Sequence, residues 1–345
     1  MITRSRAPLR LGLAGGGTDV SPYCDQFGGR VMNVTIDKYA YANLSQPKTQ
    51  VVRFRATDLG IQEEYAVGAL IDPEGPLALL KGVYLRISRD YPGLLSGPLN
   101  LCTFSDAPPG SGLGSSSTMV VALVQVFVEY GSLPLGEYDV AHLAYEIERM
   151  DLNFAGGRQD QYASTFGGFN FMEFGSNDRV IVNPLRIKET VAAELEASLV
   201  LYYLGVSRLS SKIIGEQSKN VVAQNQASID AMHRIREEAT VMKEALLRGD
   251  IRAFSATMQK GWESKKLMAS GITNPDIDRI ERLAFDHGAC AAKISGAGGG
   301  GFMMFMCRPE DRCDLVRALE GQNGRIMDFH FSNQGARSWR VPQDG

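Results

Sequence analysis

In the stretch AYEIERMDLNFAGGRQDQYAS, Glu148 and Asp160 stand twelve positions apart on either side of a Gly156-Gly157 break. An isolated surface acid is usually a solvated charge, and most of the chain's 39 acidic residues will be that. This pair has company upstream. DAPPGSGLGSSSTMVVALVQVFVEY runs from a Pro-Pro step through glycines at 110, 112 and 114 into three serines, then into an apolar stretch long enough for a helix. Such glycines let consecutive amides turn into one concavity, and a helix starting near Ser116 adds unpaired N–H groups and the positive end of its dipole. That combination holds phosphate. A flexible turn with a serine N-cap is the plainer reading of the same residues.

The loop is not a Walker A loop, because Ser115, Ser116 and Ser117 stand where that pattern needs its lysine. Without a loop lysine, phosphate charge falls to the helix dipole and to a metal, so the serine hydroxyls are candidate Mg²⁺ ligands. Glu148 and Asp160 then suit one metal ligand and one group facing a nucleophilic hydroxyl.

Two further glycine loops flank this one. In LRLGLAGGGTDV a strand ends in three glycines before Thr18 and Asp19; the carboxylate either closes an Asx-turn or accepts hydrogen bonds from sugar hydroxyls. KISGAGGGGFMMF contains a formal G-x-G-x-x-G from Gly296 to Gly301, but the apolar FMMFM that follows reads as strand, not as the helix a dinucleotide site requires. Five glycines in six residues, with Gly298 and Gly299 at the centre, exceed what a strand connection needs and permit close backbone approach to a ligand.

The elements that must position these loops follow from periodicity. Strands are expected at 9–13, 30–36, 39–45 and 50–55, helices at 77–91, 116–130 and 139–150, and short strands between 167 and 184. A polar, acidic stretch near residue 187 precedes a strand at 197–203 and marks a boundary, giving domains 1–188 and 189–345. The second half is mostly helical, at 211–226, 229–247, 251–269 and 274–287, followed by the glycine loop, a strand and a last helix.

The chain's 345 residues, 44% hydrophobic and 22% charged, can bury a real core. A formal charge of −3 offers no basic excess, so neither nucleic acid nor an anionic membrane is an expected partner. The basic N-terminus has no uninterrupted apolar core, and no run approaches eighteen apolar residues, which predicts a cytoplasmic protein without a signal peptide. Five scattered cysteines with no C-x-x-C pair read as reduced, packed thiols.

PPGSGLGSSS resembles the central phosphate-binding motif of the GHMP kinases, KISGAGGGGF their C-terminal glycine motif and APLRLGLAGGGTD their first motif; together the three span nearly the whole chain. The resemblance implies an α+β, two-domain fold, with a left-handed βαβ crossover in the N-terminal domain and a ferredoxin-like C-terminal domain. It also implies Mg·ATP-dependent phosphorylation of a small-molecule hydroxyl. By that resemblance Pro109, Gly110, Ser111, Gly112, Leu113, Gly114, Ser115, Ser116 and Ser117 wrap the ATP phosphates, Ser116 and Glu148 hold Mg²⁺, Asp160 faces the acceptor hydroxyl and Arg10 stands beside it.

Within the family, AGGGTD, GGRQDQYAS and WESKKLMASGITNPDID resemble the branch acting on D-glycero-D-manno-heptose 7-phosphate at its anomeric hydroxyl, with fucokinase domains as near relatives. Gly16 and Gly17 replace the Glu-His of galactokinases and leave room for a longer sugar beside Thr18 and Asp19. A sugar phosphate needs a second anion site. Arg208 and Lys212, where a helix start adds amide donors, are the first candidates, with Lys265 or Lys266 next.

Overall fold

The computed structural model describes residues 1–205 and 210–342. Among them, one eight-stranded sheet holds β1 (Ile2–Ala14), β2 (Gly29–Ser45), β3 (Val51–Ala56), β4 (Ile61–Ala66), β5 (Leu99–Ser105), β6 (Phe169–Phe174), β7 (Val180–Pro184) and, from the far end of the chain, β12 (Arg337–Val341). A four-stranded antiparallel sheet holds β8 (Leu199–Tyr203), β9 (Ala289–Ile294), β10 (Phe302–Cys307) and β11 (Arg325–Ile326). The helices are α1 (Tyr23–Phe27), α2 (Ala78–Asp90), α3 (Ser115–Gly131), α4 (Glu137–Glu146), α5 (Gln159–Phe166), α6 (Glu189–Ser198), α7 (Ser210–Val222), α8 (Gln226–Arg248), α9 (Ile251–Lys266), α10 (Pro275–Asp286) and α11 (Arg312–Glu320).

The first sheet has the order β12-β1-β2-β5-β3-β4, with β6 and β7 added along the first half of β2. Where the sequence predicts two strands, β2 is a single one that changes partner: residues 29–34 pair with β6, and residues 40–45 pair with β5. The polar Asp37-Lys38 step marks the exchange. β3 and β5 pair in parallel, with β4 and α2 between them in the chain, which is where the expected crossover unit falls. In the second sheet the order β11-β8-β10-β9 puts the first and third strands at the centre, the ferredoxin-like arrangement with extra helices inserted after its first strand.

One apolar core lies between α2, α3, α4 and the first sheet. A second is shared by both halves: Leu9, Leu11 and Leu13 of β1 pack with Leu199 and Leu201 of β8, Met304 of β10 and Phe254 of α9. The halves therefore meet through buried side chains and not across a wet cleft alone.

Other features also depart from the sequence-based expectation. Residues 189–198 form helix α6 where a polar connection is predicted, because only Leu195 and Ser198 of that helix are buried and its periodicity is faint. β12 pairs with β1, so the first sheet takes residues from both sides of a cut at 188. All five cysteines are free, but Cys290 and Cys313 are exposed, not packed. No helix of the described residues is long and apolar enough to cross a membrane.

Candidate active site

The glycine loops converge on a cavity of about 620 Å³. A register shift between Pro8 and Arg10 sets the phase of β1, so that Leu9, Leu11 and Leu13 enter the shared core while Arg10 and Gly12 line the cavity. Ser295 joins all three loops: its hydroxyl donates to Gly112 O (2.9 Å) and accepts from Gly12 N–H (3.4 Å), and Arg10 Nη1 lies 3.3 Å away. At Gly112, φ is +84° and a Cβ would stand 2.3 Å from Ser295 O, so only glycine fits.

α3 starts without a side-chain cap, on Gly114 in the left-handed region. Its first helical bond runs from Thr118 N–H to Gly114 O (2.9 Å), which leaves the amides of Ser115, Ser116 and Ser117 at the open first turn. All three serines line the cavity, as do Gly110, Gly112 and Gly114. Leu113 is instead fully buried in the shared core, and its carbonyl accepts from Arg10 N–H (3.1 Å), pinning the loop to β1. Ser111 is fully buried beneath it, its carbonyl accepting from Phe302 N–H (2.8 Å). Pro109 stays outside the cavity wall.

Glu148 sits on a π-helical turn, Ile147–Asp151, that extends α4. π turns recur at functional sites because they re-aim one side chain. Here the carboxylate is turned onto the head of α3: Oε1 accepts from Ser116 Oγ (2.7 Å), and Oε2 accepts from Ser117 Oγ (2.6 Å) and Gln161 Nε2 (2.7 Å). Arg149 lies 3.2 Å from Oε1. Two hard oxygens, Ser116 Oγ and Glu148 Oε1, thus stand side by side at a phosphate loop, a donor set that fits Mg²⁺ completed by phosphate and water.

Asp160 lies in the first turn of α5, where a helix N-terminus favours a carboxylate. Arg10 Nε and Nη2 both reach Asp160 Oδ1 at 2.7 Å, and Nη1 donates to Gly112 O (2.6 Å). Asp160 also faces the phosphate loop: a Cβ on Gly114 would stand 3.2 Å from its carboxyl carbon. One arginine therefore ties this carboxylate to the loop backbone.

Asp19 lines the cavity and at the same time anchors α5. Its Oδ2 accepts from the amides of Arg158 (2.9 Å) and Gln159 (3.0 Å), and its Oδ1 from Gln159 Nε2 and Gly17 N–H (3.2 Å each). A Cβ on Gly157 would meet Oδ2 at 1.9 Å, which explains the Gly156-Gly157 break. Thr18 is buried, donating to Gly15 O and receiving Arg30 N–H; it braces the loop from behind. Gly16 and Gly17 line the cavity.

Two lysines enter the cavity from the second half. Lys265, at the end of α9, donates to Gly296 O, and burial, with Arg10 nearby, pushes its pKa down to about 8 against the pull of Asp19 and Asp160. Lys293 donates to Gly12 O (2.7 Å); burial beside Lys265 and Arg10 drives its pKa well below the ordinary lysine value.

Of the other expected substrate contacts, Gly298 and Gly299 pack against Ile272 instead of lining the cavity, while Gly296 and Ala297 line it. Lys212 is exposed on α7 and off the cavity wall. Lys266 is paired with Glu263 and Glu281. Arg208 lies outside the described residues. Lys293, Ser295, Gln161 and Gln217 escaped the sequence reading; Lys293 and Ser295 adjoin the third glycine motif, and Gln161 follows Asp160, which are the signals that would have found them.

Residues 78–168 match the model of the GHMP kinases N terminal domain, and residues 242–324 that of the GHMP kinases C terminal domain. The D-glycero-alpha-D-manno-heptose 7-phosphate kinase of Campylobacter jejuni is 46% identical over 340 residues, covering 98% of this chain and 99% of its own. The crystal structure of a D-glycero-D-manno-heptose 1-phosphate kinase from Bacteroides thetaiotaomicron superposes with a TM-score of 0.84 at 44% identity, covering 99% of this chain and all of its own. The L-fucokinase/L-fucose-1-P guanylyltransferase of Bacteroides fragilis is more distant, 24% identical over 97% of this chain and 38% of that longer protein. A glycine loop at an uncapped helix, a carboxylate clamped beside it and agreement with relatives along the whole length have one common explanation: the chain belongs to the GHMP kinase family.

Proposed function

We propose that this kinase transfers the γ-phosphoryl group of ATP to the anomeric hydroxyl of D-glycero-D-manno-heptose 7-phosphate. The product is the 1,7-bisphosphate, a precursor of nucleotide-activated heptose for capsule or lipopolysaccharide. The observation that carries the reading is Asp160, clamped by Arg10 within contact distance of Gly114 at the head of α3. A carboxylate placed there orients an acceptor hydroxyl toward the terminal phosphate and takes its proton as the new O–P bond forms and the bond to ADP breaks. The phosphoryl-transfer transition state is loose, so alignment and charge stabilisation are the chain's main tasks. The amides of Ser115 to Ser117 and the dipole of α3 receive phosphate charge. Ser116 and Glu148 would hold Mg²⁺, which supplies neutralising charge to the nucleotide when bound. Gly16 and Gly17 leave open the space a seven-carbon sugar needs.

The names of the two similar kinases put the acceptor's phosphate at opposite ends, position 7 in one and position 1 in the other. Phosphorylation of either compound at its free end gives the same bisphosphate. Mass spectrometry of products from ATP with heptose 7-phosphate, heptose 1-phosphate, fucose, mannose and galactose tests the reading. The 7-phosphate is the expected best acceptor. Equal use of plain fucose or mannose would replace this reading with a fucokinase-like one, and no turnover of any acceptor would leave a sensor built on a kinase fold.

A further inference from the structure

A cation buried in a binding cavity without a carboxylate partner is expensive unless something negative arrives. Four of the arginine and lysine side chains lining the main cavity are buried or nearly so, and they are not equivalent. Arg10 is matched by Asp160, and Arg149 by Glu148. Lys293 gives its N–H groups to the carbonyls of Gly12 and Ile294. Lys265, only 4% exposed, has among the described residues no carboxylate within 4 Å and a single carbonyl acceptor, that of Gly296. Arg158, in a smaller pocket alongside, is already committed to Asp25 and Asp178.

A second group is left open at the same place. Gln217 of α7 is 2% exposed and lines the cavity, yet among the described residues its amide has no hydrogen-bond partner. Lys265 and Gln217 meet across the bare Gly16-Gly17 backbone: a Cβ on Gly16 would stand 3.7 Å from Lys265 Nζ, and one on Gly17 would stand 3.4 Å from Gln217 Oε1. Ser210 and Ser211, in the first turn of the 13-residue helix α7, line the same cavity. Ammonium and side-chain amide are both donors suited to a phosphate, and neither is required by the glycine loop around α3.

We propose that Lys265 and Gln217 form the subsite for the phosphate that the acceptor already carries. This assignment rests on the sugar-phosphate reading above and gives it an address. Gly17 is required independently, by its φ of +102° and by Met268 Cε, which would stand 2.7 Å from a Cβ there, while at Gly16 only a side chain longer than a methyl group would enter the space beside Lys265.

The test compares kcat/KM for heptose 7-phosphate and for the same heptose without phosphate, using equilibrium binding where the plain sugar is not turned over. The wild-type ratio is expected to be about tenfold or more, as one charge-assisted contact provides. Lys265→Met should lower that ratio at least about tenfold, Lys265→Arg should retain most of it, and Gln217→Leu should lower it a few-fold. If Lys265→Met slows both sugars alike and keeps the ratio, the lysine serves the reacting centre or the fold, and the subsite assignment fails while the sugar-phosphate reading stands. A wild-type ratio near one overturns the reading itself. Should Lys265→Met fail to fold, Lys265→Arg and Gln217→Leu decide: a ratio that survives in the leucine variant, or collapses in the arginine one, sinks the proposal.

Discussion

The two walls of the cavity are built differently. On the wall formed by α3, the π turn and α5, every acid is tied down: Glu148 accepts from two serines and a glutamine, Asp19 from four N–H groups, and Asp160 is clamped by Arg10. On the wall formed by α7 and the end of α9, Lys265 keeps capacity to spare and Gln217 is unpartnered. Carboxylates held in this way are preorganised and lose little entropy when chemistry begins, although the side-chain oxygens of Gln159 and Gln161 on the same wall have no hydrogen-bond partner among the described residues. An unsatisfied wall is selective, because its cost is relieved only by the right ligand. On the roles proposed above, the chemistry of transfer and the choice of acceptor fall to different walls of one space.

Asp160→Asn should break the tied wall at its most sensitive point. The amide keeps the shape but cannot take the proton, so kcat is expected to fall at least about a hundredfold while nucleotide binding, followed by fluorescence titration, persists. Near-wild-type turnover would remove Asp160 from the reaction.

A pair of glycine variants compares the walls by stability. Gly112→Ala places a methyl group 2.3 Å from Ser295 O at φ +84°, and it should cost about 3 kcal/mol in chemical denaturation. Gly215, in α7 on the open side, has nothing within 4 Å of its Cβ position. Alanine there should be neutral or stabilising by up to about 1 kcal/mol. Equal losses at the two sites would contradict the contrast.

Glu148→Gln should move the Mg²⁺ dependence of activity to higher concentration by about tenfold with little change in sugar KM, since one hard oxygen becomes a neutral amide. A superimposable titration would place the metal elsewhere.

The smallest expected effect is in pH. Burial and Arg10 lower the pKa of Lys265 to about 8, with Asp19 and Asp160 opposing. Its positive charge is therefore present below pH 8 and lost above it. The preference for the phosphorylated sugar, measured as kcat/KM, should shrink a few-fold between about pH 7 and pH 9. In Lys265→Arg the preference should stay flat over that range, because arginine does not titrate there.

Much of the tied wall was legible in the sequence because it is local. PPGSGLGSSS runs directly into an apolar helix, and Glu148 and Asp160 flank a glycine pair, so spacing alone brings them forward. The open wall was legible only in part: Lys265 stood beside Lys266 as a later candidate for the second anion site, and nothing pointed to Gln217. Gln217 looks like any helical polar residue, and Lys265 looks like its neighbour Lys266, which turns out to be ion-paired; only tertiary packing separates them. Ser295 lies 183 residues from Gly112, a distance over which no periodicity speaks. Two of the strands missed have the same explanation in another form. β4, IQEEYA, has no fully buried residue, and β12, RSWRV, has none either, so the edge strands lack the apolar alternation that reveals a half-buried strand.

The pairing of β12 with β1 has a consequence in time. Ile2 is set opposite Val341, so β1 gains one of its two neighbours only after everything between the two strands has been synthesised. At roughly 5–20 residues per second, the delay is on the order of tens of seconds. Throughout it, one edge of β1 stands unpaired, and Arg4 and Arg6, within the segment that β12 later joins, supply the charge that discourages a stray strand from taking that place.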